Sequence, residues 1–271
     1  MTALTQRVLT ALGAGALLLA VILGLPRDYE GVALGIFALV VLIGAWEWSA
    51  FMRFRSQVAR FVYVIFVAAL MAVAQNNTRK ADDLDWFLWI TAAWWVVAFL
   101  WVVSRPATHN RATVIVCGFF VLVPAWVSLA HIFRGADGPY RVLFLLMLVF
   151  AADIGAYFIG RAYGSVKLAP KVSPSKTWEG VLGGLCASAI VAVVGATWFD
   201  APRLAFVSLC LAVVLISIVG DLTESMFKRY AGLKDSGAVF PGHGGVLDRI
   251  DSVTAAAPMF LLGMRWLESL Q

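Results

Sequence analysis

The chain has 271 residues, of which 62% are hydrophobic and 14% are charged, and its formal net charge is +5. Soluble domains carry about 25% charged residues, so this composition excludes a soluble globular protein and indicates one that crosses a membrane several times. The three cysteines lie inside apolar runs without CxxC spacing, and no basic tail or low-complexity segment supports nucleic-acid binding.

Nine apolar runs predict an all-α, polytopic integral membrane protein with about nine transmembrane helices, because a span needs about 20 helical residues and the runs do not alternate like barrel strands. The 61–74 run is short, so its helix either tilts little or extends into Arg60 and Gln75. The first run resembles a signal-peptide core, but the spans behind it favour an uncleaved helix. The runs cover about 8–25, 31–51, 61–74, 86–103, 113–131, 141–159, 178–198, 204–220 and 253–270.

The distribution of Lys and Arg predicts how the chain is oriented. With a cytoplasmic N-terminus, about two thirds of the 21 Lys and Arg residues fall in cytoplasmic segments, as the positive-inside rule requires. This orientation puts the two most polar loops, 160–177 and 221–252, on the cytoplasmic face. Because both loops lie in the second half, we predict an N-terminal transmembrane helical scaffold over 1–140 and a C-terminal catalytic transmembrane region over 141–271.

Among the acidic residues inside predicted spans, Glu47 and Asp153 lie more than two residues from a span end. Glu47 sits near the cytoplasmic end of the second run, where its side chain either faces the bundle interior or snorkels to the interface. We favour snorkelling and assign Glu47 no role. Asp153 lies in the cytoplasmic part of its run, four residues before Tyr157, and an ionisable group there indicates a functional site.

The 160–177 loop that follows is rich in cations and hydroxyl groups. The segment Ser-Pro-Ser-Lys-Thr precedes an apolar run and is typical of a helix start, with Thr177 or Ser175 as the cap. A helix N-terminus also attracts anions, so a cap and a substrate contact are compatible. No GxxxxGK[ST] motif is present, so a P-loop is not supported. The cations and hydroxyls of this loop are Arg161, Lys167, Lys171, Ser173, Ser175, Lys176 and Thr177.

The next polar segment begins at Asp221, which closes an apolar run. If that helix continues, Glu224, Ser225 and Lys228 follow at i+3, i+4 and i+7 on one face. This face is either a functional site at the membrane edge or a solvated helix end with intrahelical pairs, and the segment alone does not favour one over the other.

The stretch PGHGGVLDRID, residues 241–251, combines glycines, cations and carboxylates. Gly244 and Gly245 allow backbone N–H groups to approach an anion. Asp248 and Asp251 share one helix face, and carboxylates together with substrate phosphates are how proteins hold Mg²⁺. A plain loop before a helix N-terminus, where acids are favoured anyway, is the alternative. We prefer the metal interpretation, and the neighbours of His243 favour a phosphate contact over a base or a turn residue.

The stretch Ser225–Asp251 resembles the signature of the CDP-diacylglycerol synthases, also called phosphatidate cytidylyltransferases. It has the family's Ser, Lys-Arg, Lys-Asp, Gly, Pro-Gly-His-Gly-Gly and Asp-Arg-x-Asp elements in the family's spacing, without departure. The 153–180 stretch is similar to the family's second polar block. The first half matches only in being apolar and multi-spanning. The signature positions here are Ser225, Lys228, Arg229, Lys234, Asp235, Gly237, Pro241–Gly245, Asp248, Arg249 and Asp251.

The resemblance implies transfer of a cytidylyl group from CTP to phosphatidate, which yields CDP-diacylglycerol and pyrophosphate with a divalent metal. It also implies a dimer in the bacterial inner membrane with its active site facing the cytoplasm. Mg²⁺ is the expected cofactor, with a second cation left open. Asp221 and Asp248 match the family's metal-binding acids, with Asp251 and Asp153 as neighbours. The partners expected are CTP, phosphatidate, membrane lipid and a second copy of the chain, but no nucleic acid.

The physical hypothesis is that the site brings two polyanions together by positioning and charge neutralisation. The expected catalytic residues are Asp221, Lys228, Arg229, His243 and Asp248. The expected substrate-binding residues are Lys167, Lys171, Ser173, Lys176, Thr177, Ser225, Lys234, Asp235, Gly244, Gly245 and Arg249.

Three other functions predict different features. A transporter with coupling sites at Asp153 and Asp221 predicts internal repeats, and none is visible. A CDP-alcohol phosphatidyltransferase predicts a DGxxAR motif, but Asp137-Gly138 is not followed by Ala-Arg at those positions. A lipid kinase that uses CTP releases CDP instead of pyrophosphate, so the product separates it from a cytidylyltransferase.

Overall fold

The structure is a computed structural model that describes residues 13, 15–24, 26–106, 110–239 and 244–269. Helical residues 15–23 and the 3-10 helix Arg27–Tyr29 precede eight long helices of the described chain. These are α1 Glu30–Phe51, α2 Gln57–Asn77, α3 Ala81–Ser104, α4 Arg111–Arg134, α5 Gly138–Tyr163, α6 Trp178–Trp198, α7 Arg203–Ala231 and α8 Leu247–Ser269.

The fold is nearly all-helical, but the all-α prediction misses one antiparallel strand pair. Strands β1 Lys167–Ala169 and β2 Ser173–Thr177 pair within the 160–177 loop. A polar loop must satisfy its backbone N–H and C=O groups. Pro174 disfavours a helix here, so pairing the strands supplies partners instead.

Seven of the described helices, α1 to α7, are long and apolar enough to cross a membrane. The eighth, α8, is not among them, because charged residues lie near both of its ends. The first predicted run, 8–25, lies partly outside the described residues. The chain is therefore a multi-pass membrane protein by the composition of its helices, but the count of about nine spans is not confirmed.

Several helices extend beyond the apolar runs that predicted them. Helix α2 runs from Gln57 to Asn77, so the short 61–74 run does extend past Arg60 and Gln75. Helix α7 continues past Asp221 to Ala231, so the polar spacing Asp221, Glu224, Ser225 and Lys228 falls on one helix. The first third of the predicted 221–252 loop is therefore helical.

The described residues form two compact units, each built from three separate parts of the chain. The first unit comprises the described residues within Met1–Asn77, His109–Leu143 and Phe227–Ile250. The second comprises those within Thr78–Thr108, Phe144–Met226 and Asp251–Gln271. The predicted division into a scaffold over 1–140 and a catalytic region over 141–271 is a statement about function, and it stays a prediction.

Each unit has its own aromatic core. In the first, Trp48 is fully buried, donates a hydrogen bond from Nε1 to the Val114 carbonyl at 2.9 Å, and packs against Phe51 and Phe227. In the second, Phe144 contacts the rings of Phe199, Phe206 and Phe260. These contacts hold the helices that carry the polar residues.

Candidate functional site

In the second unit, the ammonium group of Lys176 lies among carboxylates. Lys176, on β2, donates from Nζ to Oδ2 of Asp221 on α7 at 2.5 Å. The carboxylates of Asp251 on α8 and Asp153 on α5 also act on this ammonium electrostatically. Burial alone would lower the pKa of Lys176, but the attraction of Asp221, Asp251 and Asp153 outweighs it and raises the pKa. We call these four residues the Lys176 cluster.

Local structure explains how the Lys176 cluster is assembled. The β1–β2 pair turns the 160–177 loop back on itself, which places Lys176 directly before the start of α6. Gly220 precedes Asp221 on α7, and a Cβ at this position would lie 2.8 Å from the Asp251 carbonyl oxygen. Since only a glycine permits this approach, α7 and α8 meet beside the two carboxylates. Ser225 adds a hydrogen bond from Oγ to Oδ1 of Asp221 at 3.2 Å.

In the first unit, Lys228 and Asp248 form a second, more deeply buried ion pair. Nζ of Lys228 lies 2.7 Å from Oδ1 of Asp248, and their side chains are 10% and 9% exposed. Oδ2 accepts hydrogen bonds from the backbone N–H of Ser236 at 2.9 Å and of Gly245 at 2.8 Å. Burial alone would raise the pKa of Asp248, but Lys228 and the two N–H groups lower it below its ordinary value.

Gly244 and Gly245 allow the backbone to approach the Asp248 carboxylate closely. Gly244 has a φ of +80°, in the left-handed region that favours glycine. A Cβ on Gly244 would also overlap the carboxylate of Asp248. The predicted close approach of backbone N–H groups to an anion is present at Gly245, and the anion it meets in this structure is the Asp248 carboxylate.

Glu47 is the residue whose importance the sequence interpretation missed, since the snorkelling prediction is wrong. The residue is 3% exposed, and its carboxylate accepts hydrogen bonds from Ser236 Oγ and from the backbone N–H groups of Val246 and Leu247. These donors compensate the carboxylate for the water it loses, so burial is tolerated. The available signal was an acid inside an apolar span, a placement that is costly without a partner or a function.

The remaining predicted residues divide into three groups. Thr177, one of the two predicted caps, is the N-cap of α6 and accepts a hydrogen bond from the Gly180 N–H at 3.2 Å. Ser173 is half-buried at the start of β2, and His243 lies outside the described residues, as do Pro241 and Gly242. The residues exposed to solvent are Lys167, Lys171, Arg229, Lys234, Asp235 and Arg249.

The carboxylate oxygens of the Lys176 cluster and of the Lys228–Asp248 pair suit a hard divalent cation. Among the residues that the structure describes, no group of three or more His, Cys, Asp and Glu side chains is arranged to hold a metal ion by itself. Mg²⁺, however, is usually bound through one or two carboxylates together with substrate phosphates and water, not by an all-protein cage. Oδ2 of Asp221 lies 2.5 Å from the ammonium nitrogen of Lys176, and Oδ1 of Asp248 lies 2.7 Å from that of Lys228. Each carboxylate thus already binds a cationic group, so the two residues fit such an ion.

Seven helices long and apolar enough to cross a membrane, together with the ion pairs Lys176–Asp221 and Lys228–Asp248, define a multi-pass membrane protein with ionisable sites, a class in which such groups usually serve function. Comparison with known proteins specifies the class further. The model of the cytidylyltransferase family matches residues 5–267, and the chain belongs to this family of nucleotidyltransferase enzymes.

Two of three similar proteins align with nearly the whole chain. A protein of Haemophilus influenzae named phosphatidate cytidylyltransferase is 40% identical over 95% of this chain and 97% of its own length. A protein of Pseudomonas aeruginosa with the same name is 43% identical over 95% of both. A Brucella suis protein of that name is 46% identical over 46% of this chain and 48% of its own length. The predicted resemblance is therefore confirmed.

Proposed function

We propose that the chain catalyses the reaction of CTP with phosphatidate to give CDP-diacylglycerol and pyrophosphate. The observation that carries the proposal is the near-full-length similarity to two relatives named phosphatidate cytidylyltransferase, at 40% and 43% identity. The site chemistry supports it, because the Lys176 cluster and the Lys228–Asp248 pair combine carboxylates with ammonium groups, which suits a reaction between polyanions.

In this reaction a phosphate oxygen of phosphatidate attacks the α-phosphorus of CTP. The bond from that phosphorus to the oxygen bridging the α- and β-phosphates breaks, and pyrophosphate leaves with the electron pair. The attacking phosphate is already anionic at neutral pH, so no strong base is needed. The protein must overcome the repulsion between the substrates, chiefly by placing charges and holding both groups in line.

The exposed cations are the groups available to the substrate phosphates. Arg229, Lys234 and Arg249 extend from the ends of α7 and α8 and from the segment between them, and we assign them to CTP and the leaving pyrophosphate. Lys167 and Lys171 are exposed on the strand-pair segment, and we assign them to the anionic lipid headgroup. Lys228 is buried against Asp248, so its part is to hold that carboxylate in place.

Mg²⁺ is the proposed cofactor, and when bound it would neutralise phosphate charge and polarise the α-phosphoryl group. By the signature resemblance, Asp221 and Asp248 are the proposed metal-binding acids, with Asp251 and Asp153 as neighbours of Asp221 in the second unit. The oxygen donors around each of these two acids, taken separately, support the assignment. Lys176 binds Asp221 and Lys228 binds Asp248, so each of these two carboxylates is oriented before substrates bind.

The location of the reaction follows from its substrates. CTP arrives from water and phosphatidate from the bilayer, so the site belongs at headgroup depth. The excess of Lys and Arg in alternate loops supports a cytoplasmic N-terminus and a cytoplasmic active site in the bacterial inner membrane. A homodimer is proposed from the family resemblance.

The proposal is tested with purified protein, phosphatidate, CTP and Mg²⁺. We expect CDP-diacylglycerol to form, the reaction to stop on chelation, and Mg²⁺ to restore it. Asp221→Asn and Asp248→Asn should each lower turnover on the order of a hundredfold or more. Asp83→Asn, an exposed acid in the first turn of α3, is the matched control and should retain turnover. Full turnover in Asp248→Asn would overturn the metal assignment.

A further inference from the structure

Glu47 is a buried acid on a helix far from the signature in sequence. Among the described residues, its three hydrogen-bond donors all lie within Ser225–Asp251. Its Oε2 accepts from Ser236 Oγ at 2.9 Å and from the Leu247 N–H at 2.7 Å, and its Oε1 accepts from the Val246 N–H at 3.0 Å. The two N–H groups lie at the N-terminus of α8, where helix geometry leaves such donors without intrahelical partners. Glu47 therefore supplies the capping acceptor from α1.

The space around the Glu47 carboxylate is shaped to hold it. A Cβ on Gly237 or on Gly245 would overlap that carboxylate, so both positions admit the acid only because they are glycine. Gly44, one turn earlier on α1, lies against the side chains of Leu247 and Ile250 on α8. Within the first unit, α1 therefore packs closely against the start of α8, with the Glu47 carboxylate at the centre of the contact.

Ser236 binds both Glu47 and Asp248, through different groups. Ser236 donates its hydroxyl to Glu47 and its backbone N–H to Asp248 Oδ2 at 2.9 Å, and its Oγ also accepts the Asp248 N–H at 3.3 Å. Gly245, which packs on Glu47, donates its N–H to Asp248 Oδ2 at 2.8 Å. Ser236 and Gly245, two of the three described groups that bind the Asp248 carboxylate, therefore also contact Glu47, the first by a hydrogen bond and the second by packing.

We propose that Glu47 is a positioning residue for the reaction, which orients the Asp248 carboxylate through Ser236 and the N-terminus of α8. This inference rests on the proposed function, in which Asp248 contacts the reacting groups through a cation. A carboxylate is required because both of its oxygens accept hydrogen bonds. A glutamine amide at position 47 would instead turn its NH₂ group toward at least one of the three donors. Aspartate keeps the charge, but its chain is one methylene shorter, so we expect it to restore part of the function.

The test compares Glu47→Gln, Glu47→Asp and Ser236→Ala with the wild type, using Glu30→Gln as the matched control. Glu30 is a glutamate on the same helix of the first unit, but it pairs with Arg134 at 2.9 Å and both side chains are more than 40% exposed. We expect Glu47→Gln to lower kcat ten- to a hundredfold and to raise the half-activating Mg²⁺ concentration at least fivefold. Glu47→Asp should recover part of both losses, and Glu30→Gln should leave both unchanged.

Two further measurements separate positioning from a merely structural role. In the absence of substrates, Mg²⁺ should raise the unfolding temperature of the wild type, and Glu47→Gln should require more Mg²⁺ for half of that rise. The effects of Glu47→Gln and Ser236→Ala on kcat should be non-additive, because both act on Asp248 through one path. A loss of folded protein alone would lower the active fraction without moving the Mg²⁺ midpoint.

The outcomes are distinct. If the wild type and Glu30→Gln make no CDP-diacylglycerol, the proposed function fails and this inference fails with it. If the wild type is active and Glu47→Gln keeps its kcat and its Mg²⁺ midpoint, the proposed function survives and the positioning role is wrong. If Glu47→Gln does not fold, Ser236→Ala decides, since it removes only the two hydrogen bonds of one hydroxyl group and leaves the Glu47 carboxylate in place, and an unchanged Mg²⁺ midpoint in that variant overturns the inference.

Discussion

The Lys228–Asp248 pair places two opposite charges in a nearly water-free part of the first unit, with side chains 10% and 9% exposed. Removing one partner from such a pair leaves a buried charge without compensation, which typically costs about 3–5 kcal/mol. We therefore expect Lys228→Met and Asp248→Asn each to lower the free energy of unfolding by about 3 kcal/mol. The double variant should lose clearly less than the sum.

Denaturant unfolding of the purified single and double variants measures this coupling. The exposed Arg134–Glu30 pair of the same unit is the control, and its coupling should not exceed about 1 kcal/mol. Strict additivity of Lys228→Met and Asp248→Asn would show that the two groups do not act as a pair.

The same carboxylate predicts a pH dependence of stability. Because the pKa of Asp248 is lowered in the folded protein below its ordinary value of 3.8, the ionised form stabilises the fold. That stabilisation is present above pH 3.8 and is lost as pH falls through the folded-state pKa. The difference in unfolding temperature between wild type and Asp248→Asn should therefore be constant near neutral pH and shrink below pH 3.8. A difference that grew on acidification would contradict the assigned direction.

At the scale of elements, small residues bring α5 and α6 together in the second unit. A Cβ on Gly183 would lie 2.5 Å from the Cβ of Ile159 and 2.7 Å from the Gly155 carbonyl oxygen. Gly183→Ala should therefore separate the two helices and destabilise the protein by about 1–3 kcal/mol, as overpacking does. Gly35→Ala on α1 is the matched control, since nothing lies within 4 Å of its Cβ. There the substitution should be neutral or slightly stabilising.

Thermal unfolding of both variants checks this expectation, and an equal shift for Gly183→Ala and Gly35→Ala would show that the α5–α6 contact does not limit stability. Retained expression with lost stability in Gly183→Ala alone is the predicted pattern.

Features that depend on neighbouring residues were predictable from the sequence. The helix start at the end of the 160–177 loop follows from local spacing, and Thr177 is one of the two predicted caps, whereas α7 continues to Ala231 through a segment predicted as loop. The role of Glu47 was not predictable, because its donor Ser236 lies 189 residues away. The strand pair at Lys167–Thr177 was missed because its short polar segments carry no alternating apolar pattern.

Across the whole molecule, the charge pattern predicts which loops face the cytoplasm. In a variant without native cysteines, Ser175→Cys should react with an impermeant maleimide only from the cytoplasmic side, and Ala136→Cys only from the opposite side. Both positions are exposed and both substitutions replace one small residue with another. Labelling of Ser175→Cys from the periplasmic side would reverse the proposed orientation.

The central claim is that the enzyme transfers the cytidylyl group of CTP, not its terminal phosphate. It is tested most directly by giving the purified protein phosphatidate with CTP labelled at either the α- or the γ-phosphorus. The account predicts that the α label enters the lipid product and that the γ label is recovered in pyrophosphate. Recovery of the γ label in the lipid, with CDP as the released nucleotide, would identify a lipid kinase and contradict the account.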